Sequence, residues 1–391
     1  MDTLHTVLNR GCSTWDRQRL PEQEFRGRLS SVREEMKGRG TDILLVYGDS
    51  RRYGHLAFVS HFIPKNRGAL AVIPHDGEPT LVVQEPSRNN PFSKTLTWID
   101  EVRSAGRFAQ GLDDALKARG LKVKRVGLVA VEEQMTIREW ENVIQILQGA
   151  ELCDLSDILT SLRLVKSFSE QELLRQTSKT LEQSLALLRQ EARAGRKEYE
   201  IMAVVEREAR RRGVEDFRSM IARSSEPQVG LRPAGAASLY KGETLLVTVA
   251  ASYQRYWAEL GRTFSVGVPS AELVKNHDLA KNIFRKLAES VKIGASAAAA
   301  GDWLNEIPSA PARESLQAYG LGNGLGLDLT EAPCLGRDET VKIQPGMALT
   351  LRVCLAGKEC GHGLIAQPFL ATQNGLQPLV QSLEEMVLVE G

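Results

Sequence analysis

The side chains equipped for chemistry are few and scattered. The 391-residue chain has six histidines and five cysteines. Cys12, Cys153, Cys334, Cys354 and Cys360 are odd in number and never stand as C-x-x-C, so reduced, mostly buried thiols are expected rather than a disulfide framework or a zinc ribbon. No H-E-x-x-H, Walker segment or nucleophile elbow occurs. Ser296 lies in an Ala-rich stretch, residues 294–301, that reads as ordinary helix and gives it no nucleophile context. His362 sits between two glycines. There an exposed turn residue is the plain reading and a general base facing a pocket the sharper one.

Gly320, Gly322, Gly324 and Gly326 recur at every second position. In an extended strand all four share one face and leave it bare, which predicts close approach of another backbone or of a ligand. The spacing is not G-x-G-x-x-G, and Asp328-Leu329-Thr330-Glu331-Ala332-Pro333 follows instead of a helix, so a dinucleotide site is rejected.

The elements that must position these residues fall into two groups. EFRGRLSSVREEMKGRG reads as an amphipathic helix, TDILLVYGDS as a strand, and GALAVIPHDGEPTLVVQ as a hairpin turning at His75-Asp76-Gly77. TWIDEV, a helix around FAQGLDDALKARG, the strand KRVGLVAV, the helix IREWENVIQILQGA and ELCDLSD continue an α/β alternation, which implies a partly parallel sheet. Ser169 and Glu172 then have capping-box spacing ahead of two long helical segments. One more helix, VKNHDLAKNIFRKLAESVKIG, and a strand-rich C-terminus give residues 166–391 an α+β character, distinct from the α/β domain of residues 1–165.

Bulk composition narrows the function classes. With 42% hydrophobic and 25% charged residues the chain is globular, and a net charge of +1 provides no field to gather nucleic acid or an anionic lipid surface. The Arg210-Arg211-Arg212 run ends an apparent helix, where solvated cations are favoured. No run approaches ~18 apolar residues, and the charged N-terminal stretch has no apolar signal core, so a cytoplasmic location is the default expectation.

Four segments carry a resemblance: GETLLVTVAASYQRYWAELGRTFSVG, GLGNGLGLDLTEAP, PGMALTLR and GHGLIAQPFLATQNG. Through Tyr256, Glu259, the Arg262-Thr263-Phe264 run, the glycine strand ending Glu331-Ala332-Pro333, and Pro345-Gly346-Met347, residues 167–391 resemble the pita-bread domain of the creatinase, prolidase and aminopeptidase P family. Residues 20–165 resemble its N-terminal domain. The resemblance implies an α/β N-terminal domain followed by an α+β pita-bread domain, and a homodimer.

Members of that family bind two divalent ions through Asp, Asp, His, Glu and Glu. Aligned on them, these positions hold Thr248, Glu259, Asn323, Arg352 and Gln367. The further histidines and arginine of the peptidases fall on Leu231, Thr330 and Ile365. Four carboxylates balance two ions in the family. Here Glu259 and Arg352 balance each other, so no metal or other cofactor is expected, and Arg352 is expected to reach into the metal space and pair with Glu259.

Three functional readings follow. A neutral pocket of Thr248, Glu259, Asn323, Arg352 and Gln367, with Trp257 as a wall, suits a small polar or carboxylate-bearing ligand or a short peptide. A metal-independent hydrolase of a C–N bond, as creatinase exemplifies, would draw its catalytic groups from Glu259, Arg352, His362 and Glu331, with Asp328 a further candidate. A pseudoenzyme acting through peptide or protein contacts is the third. No nucleic-acid or membrane partner is expected.

Overall fold

The structure, a computed structural model, describes residues 14–65, 67–338, 340–381 and 384–389. Cys12 and the polar N-terminal stretch lie outside the described residues. The chain divides into two compact units between Arg163 and Leu164.

The first unit is built on a six-stranded mixed sheet. Its strands are β1 (Ile43–Asp49), β2 (Gly68–Pro74), β3 (Thr80–Val83), β4 (Glu101–Ser104), β5 (Arg125–Val129) and β6 (Glu151–Asp154), in the order β4-β3-β2-β1-β5-β6. The hairpin read from the sequence is present as β2 and β3, paired antiparallel. β1, β5 and β6 run parallel, as alternating strands and helices require. The helix Glu22–Gly38 buries Phe25, Leu29, Val32 and Met36, one stripe at helical spacing.

The second unit is a nine-stranded sheet covered by helices. Its strands are β7 (Asp216–Arg223), β8 (Thr244–Tyr253), β9 (Tyr256–Val266), β10 (Gly322–Gly324), β11 (Glu331–Cys334), β12 (Ala348–Gly357), β13 (Gly361–Thr372), β14 (Gly375–Pro378) and β15 (Val387–Val389). The main path runs β11-β10-β12-β13-β9-β8-β7, with β14 beside β13 and β15 beside β9. β8 and β9 are buried nearly end to end, so their apolar residues serve both faces.

β9 and β13 meet through one backbone pair, Gly261 with Ala366. Side chains hold the rest of that seam. Arg262 Nη1 donates to the Ala366 carbonyl at 2.9 Å, and Thr263 Oγ1 bonds both the carbonyl and the amide of Leu364, at 3.2 and 2.8 Å. A Cβ on Gly261 would lie 2.9 Å from that of Ala366, so only glycine permits the approach.

Two local expectations are corrected. The capping box forms at Ser167 and Glu170, not Ser169 and Glu172: Ser167 Oγ accepts from the Glu170 amide at 3.2 Å, and Ser167 N–H donates to Glu170 Oε2 at 2.9 Å. Both pairs have the same spacing, but Ser167 is the residue in extended conformation at the helix entry. The Ala-rich stretch forms a 3₁₀ helix, Ala297–Glu306. The amides of Ala297 and Ala298, which a helix start leaves without an intrahelical acceptor, donate to the carbonyls of Val341 and Asp338.

The glycine ladder behaves as the bare face predicts over part of its length. A Cβ at Gly322 would fall 1.9 Å from the Thr350 carbonyl oxygen, one at Gly324 2.2 Å from that of Ala332, and one at Gly326 2.6 Å from the Glu331 carboxylate. Gly320 lies outside the strand and meets nothing within 4 Å.

Candidate functional site

Strand register gathers one set of side chains on a single face. In antiparallel pairs, directly opposed residues point the same way. Thr248 opposes Gly261, Gly261 opposes Ala366, Ala366 opposes Arg352, and Asn323 opposes Thr350. Glu259, two residues from Gly261, and Arg352, two from Thr350, therefore share this face with Thr248 and Asn323.

The Glu259–Arg352 ion pair is its centre. The guanidinium grips the carboxylate as a fork: Nε donates to Oε1 at 3.2 Å, and Nη2 makes a shorter bond to Oε2. Side-chain exposure is 9% for Glu259 and 18% for Arg352, so the pair is largely withdrawn from water. Burial alone would discourage the charge on Arg352, but the Glu259 carboxylate more than offsets it and the guanidinium is held above its ordinary pKa.

The neighbours complete the pair's hydrogen bonds. Thr248 Oγ1 donates to Glu259 Oε1 at 3.2 Å, and Arg352 Nη1 donates to the Tyr319 carbonyl at 3.2 Å. Asn323 Oδ1 accepts from Arg352 Nη2 at 3.4 Å, while its Nδ2 donates to the carbonyls of Gly324 and Leu329. Cys354, two positions beyond Arg352 on the same face, is a buried thiol whose pKa burial drives far upward, so it is not a nucleophile.

Other candidates stand elsewhere. Gln367 opposes Leu351 and turns to the opposite face, where its Oε1 accepts from Arg262 Nη2 at 2.9 Å. The residue that faces Arg352 is Ala366, and Leu364 rather than Ile365 follows it on that face. Neighbouring positions on a strand take opposite faces, so Gln367 does not join Glu259 and Arg352 as the neutral pocket expected. Behind the sheet, Leu260, Arg262 and Phe264 line a cavity of about 300 Å³ with Glu182 and Met386.

His362 is not an exposed turn residue: it is 8% exposed, lies in β13, and bonds the Arg223 backbone. Four residues along the strand separate it from Ala366, about 14 Å at ~3.4 Å per residue, too far to serve as a base at Glu259. Glu331 forms a buried ion pair with Lys166 at 2.9 Å and accepts from the Asp328 amide, so it braces the turn after the glycine strand. Trp257 is 2% exposed and lies under the Arg218 guanidinium, 4.6 Å from the ring centroid, so it offers no open wall. Leu231 packs beside Leu364 and Cys354.

The metal sites of the resembled family find no fit in this donor set. Glu259 is the one hard anionic donor among Thr248, Glu259, Asn323, Arg352 and Ala366, and both its oxygens are engaged by Arg352. Two divalent ions would stand against a guanidinium with one carboxylate to balance them.

A large, mainly antiparallel sheet wrapped by helices, with this face on it and a separate mixed α/β unit before it in the chain, defines a creatinase- and prolidase-type architecture. Residues 172–390 match Metallopeptidase family M24, and residues 28–165 match the Creatinase/Prolidase N-terminal domain. The chain belongs to this family. It is 25% identical over 279 residues to a Xaa-Pro dipeptidase of Pyrococcus furiosus, covering 68% of this chain and 77% of the relative. To the Xaa-Pro dipeptidase of Pyrococcus horikoshii it is 27% identical over 251 residues, 61% of this chain and 68% of the relative. Its fold is shared with the prolidase from Pyrococcus horikoshii OT3 (TM-score 0.79, 22% identity, 91% of this chain and 99% of the other). It is shared equally with the X-Pro aminopeptidase from Thermotoga maritima MSB8 (TM-score 0.79, 20% identity, 92% and 99%).

Proposed function

We propose that this chain does not cleave peptides by a metal-dependent route and instead binds a small carboxylate-bearing molecule or short peptide on the face that carries Glu259. The observation behind this reading is the fork of Arg352 on Glu259, which puts a cation where the family places a carboxylate ligand. Relatives named Xaa-Pro dipeptidase make short Xaa-Pro peptides the first ligands to try. The placement of His362 gives no support to a metal-independent hydrolase with that residue as base.

The test combines three measurements on the full chain: elemental analysis before and after incubation with manganese, cobalt or zinc; hydrolysis of Xaa-Pro dipeptides; and thermal unfolding with the same dipeptides present. Ligand-dependent stabilisation without turnover and without stoichiometric metal supports the reading. Chelator-sensitive turnover with near-stoichiometric metal overturns it.

A homodimer and a cytoplasmic location belong to the same proposal. Among the described residues no helix is long and apolar enough to cross a membrane. Sedimentation analysis reads the oligomeric state.

A further inference from the structure

Resting on that reading, we propose that Arg218, not Arg352, is the residue that receives the ligand's carboxylate. Arg352 spends its fork on Glu259 and its remaining Nη1 on the Tyr319 carbonyl. A ligand carboxylate there would have to displace a buried carboxylate already bound. Arg218 is on the same sheet face, since it opposes Ala250 and Ala250 opposes Glu259.

Its surroundings suit the task. The Arg218 side chain is 53% exposed, and its carboxylate neighbour Asp216 approaches only to 3.9 Å, the weak end of ion pairing. The guanidinium rests over the Trp257 ring, a cation–π contact that holds it to this face, while the side chain stays exposed. Trp257 is itself anchored by its backbone N–H, which donates to the Gly326 carbonyl at 2.7 Å. The next residue of β7 on this face is Met220, exposed and opposite Thr248, an apolar contact for the body of a ligand.

The span fits a dipeptide. Two inter-strand spacings of ~4.8 Å place the Cα atoms of Arg218 and Glu259 about 10 Å apart. An extended dipeptide, at ~3.5 Å per residue, covers the space between Thr248 and the Arg218 guanidinium with side-chain reach to spare. β7 ends the main strand path, and the pairing on its outer edge, Ile221 with Arg232, lies three residues along the strand from Arg218, which stays exposed.

The probes are alanyl-proline and alanyl-proline amide, which differ in the terminal carboxylate alone. Thermal unfolding and calorimetric titration are run on the full-length wild type, Arg218→Met and Arg218→Lys. The expected result is that the acid binds wild type at least tenfold more tightly than the amide, that Arg218→Met removes this preference, and that Arg218→Lys retains part of it. The unliganded midpoint of each variant reports folding, and the acid-to-amide ratio in wild type and Arg218→Lys carries the test where Arg218→Met is poorly folded. Equal acid and amide binding, or an unchanged preference in Arg218→Met, overturns the assignment to Arg218 and leaves the binding reading standing. Absence of binding by either probe to wild type overturns both.

Discussion

Arg352 and Ala366 face each other across β12 and β13, and the guanidinium stem lies opposite a methyl group. The small residue is what leaves room for the long one.

Metal capacity should therefore return only when the face is rebuilt on the correct strand position. Thr248→Asp, Asn323→His, Arg352→Glu and Ala366→Glu, combined, supply three carboxylates and an imidazole, which with the native Glu259 make four carboxylates and an imidazole on one face. Near-stoichiometric manganese by elemental analysis is the expected outcome. Substituting Gln367→Glu for Ala366→Glu in the same set should fail, because residue 367 points to the opposite face.

Breaking the central pair should cost stability, and breaking both halves should cost less than the sum. Arg352→Met leaves Glu259 withdrawn from water without its counter-charge, a loss of about 3 kcal/mol for a partly exposed pair. Glu259→Gln strands the guanidinium with a similar penalty. The double variant should recover at least half of the combined loss in denaturant unfolding. Additive losses would show that the two side chains do not depend on each other.

His362 should make the protein weaker in mild acid. Burial lowers its pKa in the folded chain, while the unfolded value stays near ~6.5. The folded state thus resists the proton: stability is full above about pH 6.5 and declines as pH falls through the lower folded value. His362→Gln should flatten the fall in melting temperature between pH 7.5 and 5.5, with His277, also lowered by burial, supplying what remains. An unchanged slope would remove His362 as a source.

Gly324→Ala should be far more harmful than its size suggests. Its added methyl would meet the Ala332 carbonyl at 2.2 Å, a backbone atom that cannot swing aside. Expression mostly in the insoluble fraction is expected, whereas Gly27→Ala, with nothing within 4 Å and a helical position, should be neutral or slightly stabilising.

The sequence was a good guide to elements and to the charge exchange, and a poor one to facing. The strand patterns of β1, β2 and β3, and the approach of backbone to Gly322 and Gly324, follow from local periodicity and from the lack of a side chain. The partnership of Glu259 and Arg352 follows from charge balance. Facing at residues 364 to 367 depends on where the hairpin between β12 and β13 turns, and one residue of error moves Gln367 into the pocket and Ala366 out of it. Arg218 carried no sequence signal because its relation to Glu259 arises through an intervening strand.

The seam between β9 and β13 has a consequence for how the second unit assembles. β8 with β9, and β12 with β13, each pair over ten residues, while the two ribbons join through a single backbone pair and the side chains of Arg262 and Thr263. Glu259 belongs to one ribbon and Arg352 to the other. The ion pair is thus a clasp between two separately stitched halves, and its closure reports that they have docked.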